Sequence, residues 1–217
     1  MTISDKLKQD LINDMDVERV FQKHVVDGAS YLFGLAPYTI DQEYELRHDI
    51  ATATATSIND VILVGSSKLG FSVKSEDFKE FDKKFVTSGL KKDKSDVDIA
   101  LINRAYFEEV AEEIYHLSGH FKKEWIREKW VTNQYYIEGK SLFHEYTKYL
   151  AMGWLRPDFM PNEYLATAAW PEICEKWRKR LDRNVAIGIY SSWTYLKHYH
   201  MDHLKSLKSK LSTLEIK

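Results

Sequence analysis

Residues Val61 to Ser72 read VILVGSSKLGFS. The apolar run Val61–Val64 is too short for a buried helix and rich in β-branched residues, which predicts a strand. A Gly-Ser-Ser turn leaving a strand and entering a helix has two uses. Glycine lets the backbone approach a ligand closely, and free amides at the helix start, with the serine hydroxyls, donate to an anion. The plainer use is a capped turn, since serine is a favoured N-cap. Gly65–Ser72 also spells G-x-x-x-x-G-F-S, one residue from the P-loop pattern G-x-x-x-x-G-K-[ST]. Phe71 stands where the P-loop lysine reaches the β- and γ-phosphates, and Lys68 lies at the wrong point of the turn. P-loop ATPase or GTPase chemistry is therefore set aside.

The next informative stretch is SDVDIALI, residues 95–102. Alternation followed by an apolar run predicts a second strand over Asp96–Ile102. Asp96 and Asp98 then share one face, with Cα atoms roughly 6.5 Å apart, while Val97, Ile99 and Leu101 face the core. Two carboxylates on one face repel each other. A hard divalent cation between them removes that cost and takes oxygen ligands. The alternative is a charged strand edge that resists edge pairing.

Taken together, Val64-Gly65-Ser66-Ser67 and Asp96-Val97-Asp98 form a pattern that resembles the DNA polymerase β-like nucleotidyltransferases. The resemblance implies an α/β (α+β) fold, a helix-rich nucleotidyltransferase core on a small mixed sheet. It implies that Gly65, Ser66 and Ser67 hold the phosphates of an NTP or dNTP. Asp96 and Asp98 would then be catalytic and would bind Mg²⁺ (or Mn²⁺), and a nucleotidyl group would pass to a hydroxyl with release of pyrophosphate. The wider string, with GWLRPDFMP and VAIGIYSSW, resembles small bacterial nucleotidyltransferase-like proteins, some linked to antiphage defence. Partners implied are the triphosphate, a nucleic-acid or nucleotide acceptor, and a protein effector. The competing readings are a non-catalytic nucleotide-binding or antitoxin-like subunit with a degenerate site, and nucleotidyl modification of a protein or tRNA.

Two departures from the family pattern stand out. Gly65 and Asp96 are 31 positions apart, about twice the usual separation. The excess is a lysine-rich insertion over residues 73–94, either a lid or strand-binding edge or a solvated loop with a short helix. The family also places a third carboxylate on a later strand. Here the best later strand, Asn184–Tyr190, has no acid, which leaves Glu138, Asp158 and Asp182 as candidates.

The rest of the chain sets bounds. Its 217 residues, 44% of them hydrophobic, suffice for one sizeable core, and no clear linker divides it. Net charge is −2, so no global basic field advertises nucleic acid. A single cysteine, Cys174, excludes a disulfide framework and suits a reducing cytoplasm. The start of the chain is unlike a signal peptide, and no apolar run is long enough for membrane insertion. Apolar spacing predicts helices over residues 3–26, 41–58, 104–118, 120–131, 141–153 and 162–182, the last kinked or restarted at Pro171. It also predicts a C-terminal helical extension from about 191, where Leu204, Leu207, Leu211 and Leu214 form a docking stripe.

Other polar and aromatic residues have bland readings beside sharper ones. His198, His200 and His203 read as a solvated helix face rather than a zinc site, which wants more ligands on one face. Cys174 reads as an inert thiol. Tyr190, Trp193, Tyr195 and Tyr199 suit core packing better than base stacking. Arg156 and Lys197 serve equally as phosphate contacts or salt bridges.

Overall fold

The computed structural model describes residues 2–13, 16–74, 78–131 and 136–215, with the side chains of 127–140, 214 and 215 outside the description. Strand β1 (Val61–Val64) pairs antiparallel with β2 (Val97–Ile102), so that Val64 stands opposite Asp98. Strand β2 pairs in parallel with β6 (Val185–Tyr190), and a two-residue strand β5 (Trp154–Leu155) closes the far edge antiparallel to β6. The order is β1-β2-β6-β5, a small four-stranded mixed sheet in an α+β molecule.

Apart from Asp98 on β2, the strands of the sheet are apolar on both faces because helices cover both. On one side Val61, Leu63, Val97, Ile99 and Ile187 pack against α3 (Ile40–Ala53), α6 (Arg104–Leu117), α7 (Phe143–Ala151), α8 (Asn162–Thr167) and α9 (Trp170–Leu181). On the other, Ile62, Val64, Ala100 and Ile102 meet α1 (Ile3–Ile12), α2 (Val17–Val20) with its π-helical continuation Phe21–Val26, and α10 (Trp193–Glu215). Leu204, Leu207 and Leu211 dock α10 on the Leu7 and Leu11 face of α1, as the leucine stripe predicts. Leu214 and Met15 lie outside the described side chains. No helix among the described residues is long and apolar enough to cross a membrane.

Several expected elements are corrected. The helix expected over 120–131 is a turn followed by β3 (Ile126–Val131), which pairs with β4 (Tyr136–Ser141) as a separate hairpin. Gly119, His120 and Phe121 all have positive φ (61°, 63° and 60°), which no helix accommodates. The helix expected over 41–58 ends at Ala53: the Thr54 hydroxyl donates back to the Ile50 carbonyl at 2.8 Å, and the chain turns away. The stretch 162–182 is two helices, with Pro171 in the first turn of α9, where a missing amide costs nothing. The second strand begins at Val97, leaving Asp96 just outside it.

The insertion over 73–94 is tied back to the domain. Its flanks pair, Ser72 N donating to Lys79 O at 2.8 Å and Phe81 N to Gly70 O at 2.9 Å, and a short helix α5 (Lys83–Ser88) follows. Asp82 accepts from Arg183 Nη1 at 2.7 Å and from Ser95 N at 2.8 Å. Both partners are shielded, the side chains being 6% (Arg183) and 16% (Asp82) exposed. Removing one member of such a pair strands a buried charge, so Asp82→Ala should lower unfolding free energy by about 3 kcal/mol in denaturant titration. An unchanged midpoint would show that the insertion is not anchored there.

Candidate functional site

A cleft of about 380 Å³ opens at the end of β1 and β2. Strand β1 runs directly into α4 (Gly65–Leu69) without a loop, because Gly65 takes φ +69°, a left-handed conformation that glycine adopts without strain. That kink brings the turn onto the neighbouring strand. A Cβ built on Gly65 would lie 2.6 Å from Asp98 Oδ2. Gly65, Ser66 and Asp98 all line the cleft.

The other residues singled out from the Gly-Ser turn take different places. Ser67 is fully buried, and its hydroxyl donates to the Val64 carbonyl at 3.2 Å, so the side chain caps the turn and does not line the cleft. Lys68 is buried too, its ammonium donating to the Gly28 carbonyl. It is a structural lysine, and burial lowers its pKa.

Asp98 is the most perturbed carboxylate of the cleft. Burial foremost, then the Asp96 carboxylate, push its pKa up to about 6, with Lys74 and Arg156 pulling back. Asp96 is exposed and is not among the residues that line the cleft. Burial raises its pKa as well, Asp158 adds to the rise, and a hydrogen bond with the Asn184 side chain opposes it. The Asp96 carboxylate therefore acts on Asp98 through space, although only Asp98 sits within β2.

The third carboxylate divides cleanly among its candidates. Asp158 lines the same cleft, in the short 3₁₀ turn after β5, and its charge raises the pKa of both Asp96 and Asp98. It pairs with Arg156 at 2.8 Å. Asp182 is a left-handed C-cap of α9 held by Lys94 at 2.7 Å and Lys91 at 3.0 Å, which hold its pKa down at about 2. Glu138 belongs to the separate hairpin, opposite Lys129 in register, and its side chain lies outside the described residues.

Among the described residues no three His, Cys, Asp or Glu side chains converge closely enough to hold a metal ion. A pair of hard carboxylates with raised pKa values nonetheless fits Mg²⁺, which is held by one or two carboxylates with the rest of its shell from water and substrate phosphates. Asp96 and Asp98 are the residues that could supply such a pair, and the Asp158 charge adds to the negative potential on both.

Arg156, read from the sequence as a phosphate contact or a salt bridge, lines the cleft, as does Lys74 of the insertion. Sequence reasoning missed Trp154 and Asn184 and gave Tyr199, His200 and His203 to packing or a solvated face, although all five line it too. His200, expected on a solvated face, is only 4% exposed. The aromatic cluster is split: Tyr190 stacks on Trp154 with centroids 5.3 Å apart, Tyr199 faces the cleft, Trp193 donates to Asp60 at 2.9 Å, and Tyr195 is exposed. Lys197 pairs with Glu18 on the far surface, and burial pushes the Cys174 thiol up to about 12. The spacing His200–His203 was the one available signal, since positions three apart share a helix face. The chain matches no protein-family model, no curated protein and no solved structure.

Proposed function

We propose that the chain is a metal-dependent nucleotidyltransferase that uses an NTP or dNTP, and that the cleft beside Gly65 and Asp98 is its active site. The observation that carries this reading is the apposition of two motifs 31 positions apart: the Gly65 backbone rests against the Asp98 carboxylate at one wall of one cleft. A glycine at that point leaves room for the Asp98 carboxylate against the turn, and the Ser66 hydroxyl adds a donor for a phosphate in the cleft. Asp96 and Asp98 would hold Mg²⁺ or Mn²⁺. The ion, when bound, supplies charge neutralisation at the transferring phosphate and activation of the attacking hydroxyl. The residues themselves contribute position: a rigid strand end for the carboxylates and a fixed turn for the phosphates.

The specific observation that favours the second reading, a non-catalytic nucleotide-binding subunit, is that Asp158 is paired with Arg156 and no third acid converges on Asp96 and Asp98 among the described residues. One experiment separates them. Purified protein is incubated with labelled nucleotides, Mg²⁺ and acceptors bearing free hydroxyls (nucleotide, oligonucleotide, tRNA, protein). The catalytic reading predicts labelled product and at least a 100-fold loss in Asp96→Ala/Asp98→Ala, a magnitude typical of lost charge stabilisation. Equal labelling by both proteins would overturn the site. Nucleotide binding without any product would establish the second reading.

A further inference from the structure

The cleft extends from the Gly65–Asp98 wall to the face of α10, and Lys74 there acts on the Asp98 charge through space. Lys74, Tyr199, His200 and His203 line that end, the last three from one face of α10. The His200 Nε2 atom is buried and meets no hydrogen-bond partner among the described residues. Such an orphan polar atom costs stability unless a ligand or water satisfies it. Burial foremost lowers the pKa of both imidazoles, His200 to about 3, and Lys74 lowers both further. Each is therefore neutral, with one N–H to donate.

Three ligand classes compete for this end. A transition metal would use the imidazoles, but no third ligand joins them among the described residues, and the Lys74 ammonium repels a cation. A nucleobase needs a bare ring face. Here the Lys74 ammonium already lies 5.2 Å from the Tyr199 centroid, the Arg156 guanidinium lies 5.1 Å from that of Trp154, and Tyr190 stacks on Trp154. The rings thus present cations rather than open faces. An anion fits best. Arg156 is already paired with Asp158, whereas Lys74 is in no salt bridge among the described residues and feels the Asp98 carboxylate only through space.

We propose that Lys74, His200 and His203 form a phosphate subsite at the α10 end of the cleft, taking a phosphate group of a substrate. The charge comes from Lys74, and the directed donors come from the two imidazoles. The source of the phosphate is the nucleoside triphosphate or a phosphorylated acceptor strand. Only that naming of the source rests on the nucleotidyl-transfer reading; phosphate recognition itself does not.

The test is calorimetric titration of the full chain with pyrophosphate in EDTA, so that no metal occupies the Asp96–Asp98 pair. Wild type should bind, and Lys74→Ala and His200→Leu should each weaken binding about tenfold, the equivalent of roughly 1.4 kcal/mol. Asp96→Ala/Asp98→Ala should still bind pyrophosphate, so failure of the catalytic reading leaves this result standing. Lys74 is exposed, so Lys74→Ala keeps the test decisive if the buried His200→Leu does not fold. No binding by folded wild type, or unchanged binding by Lys74→Ala, would overturn the subsite. Competition then names the source: displacement by ATP but not adenosine assigns the donor nucleotide. Displacement by a 5′-phosphorylated dinucleotide but not its 5′-hydroxyl form assigns the acceptor. Displacement by neither overturns the assignment to a substrate phosphate.

Discussion

Asp98→Asn is expected to abolish divalent-metal binding and, at neutral pH, to make the protein more stable. The two effects have one cause. The Asp98 carboxyl titrates near 6 in the folded chain, against an ordinary 3.8, chiefly because it is buried and secondly because Asp96 is near. A carboxyl whose folded pKa is raised opposes folding once it must ionise. That penalty is absent below about 3.8, grows as pH rises toward 6, and is fully present above it. One pKa unit corresponds to about 1.4 kcal/mol, so the penalty at pH 7, reduced for the partial opening of the side chain to the cleft, is about 2 kcal/mol. The lowered pKa values of Asp10, Asp49, Asp82 and Asp182 act in the opposite sense, so the informative quantity is the difference between variant and wild type. In denaturant titrations that difference should be near zero at pH 4 and should favour Asn by about 2 kcal/mol at pH 7. Adding Mg²⁺ should narrow it by stabilising wild type alone. A difference independent of pH would mean that Asp98 ionises freely.

Gly65→Ala is expected to damage the site twice over. At φ +69° an added Cβ incurs left-handed strain of about 1–2 kcal/mol. It would also sit 2.6 Å from Asp98 Oδ2, so the carboxylate must withdraw to an ordinary contact of 3.4 Å or more. Displacements of that size cost catalysis on the order of 100-fold. Gly89→Ala provides the control. Gly89 has nearly the same φ, +67°, and nothing lies within 4 Å of its built Cβ. Both variants should lose similar stability, but only Gly65→Ala should lose Mn²⁺ and nucleotide binding. Equal ligand binding in the two variants would show that the Gly65–Asp98 contact has no functional weight.

The parts of the fold that declare themselves locally were legible in the sequence. Val61–Val64 and Val185–Tyr190 are apolar and β-branched within short bounds, and Phe107, Val110 and Ile114 repeat at helical spacing. The hairpin β3–β4 was not legible, because its signal is the pairing of two segments and a run of positive φ at Gly119–Phe121 that includes two non-glycine residues. The site divides in the same way. Gly65 and Asp98, which line the cleft, could be named because each motif is contiguous, whereas alternation alone put Asp96 beside Asp98 and the structure leaves it outside β2 and outside the lining. Asp158 could be named only as a candidate, since what brings it to the cleft is the edge strand β5, two residues long. Lys74 and His200 come together through the docking of α10 and the path of the insertion, which no local pattern encodes.

On the proposed function, Asp96, Asp98 and the Gly65 turn act as one metal–nucleotide site. Electron paramagnetic resonance of Mn²⁺, titrated with protein in the presence and absence of ATP, tests it most directly. Wild type should bind Mn²⁺, and more tightly when ATP supplies phosphate oxygens to the same ion, whereas Asp96→Ala/Asp98→Ala should leave the free Mn²⁺ signal unchanged without ATP and gain nothing from ATP beyond the Mn²⁺–ATP complex in solution. Identical Mn²⁺ binding by wild type and double variant would contradict the account.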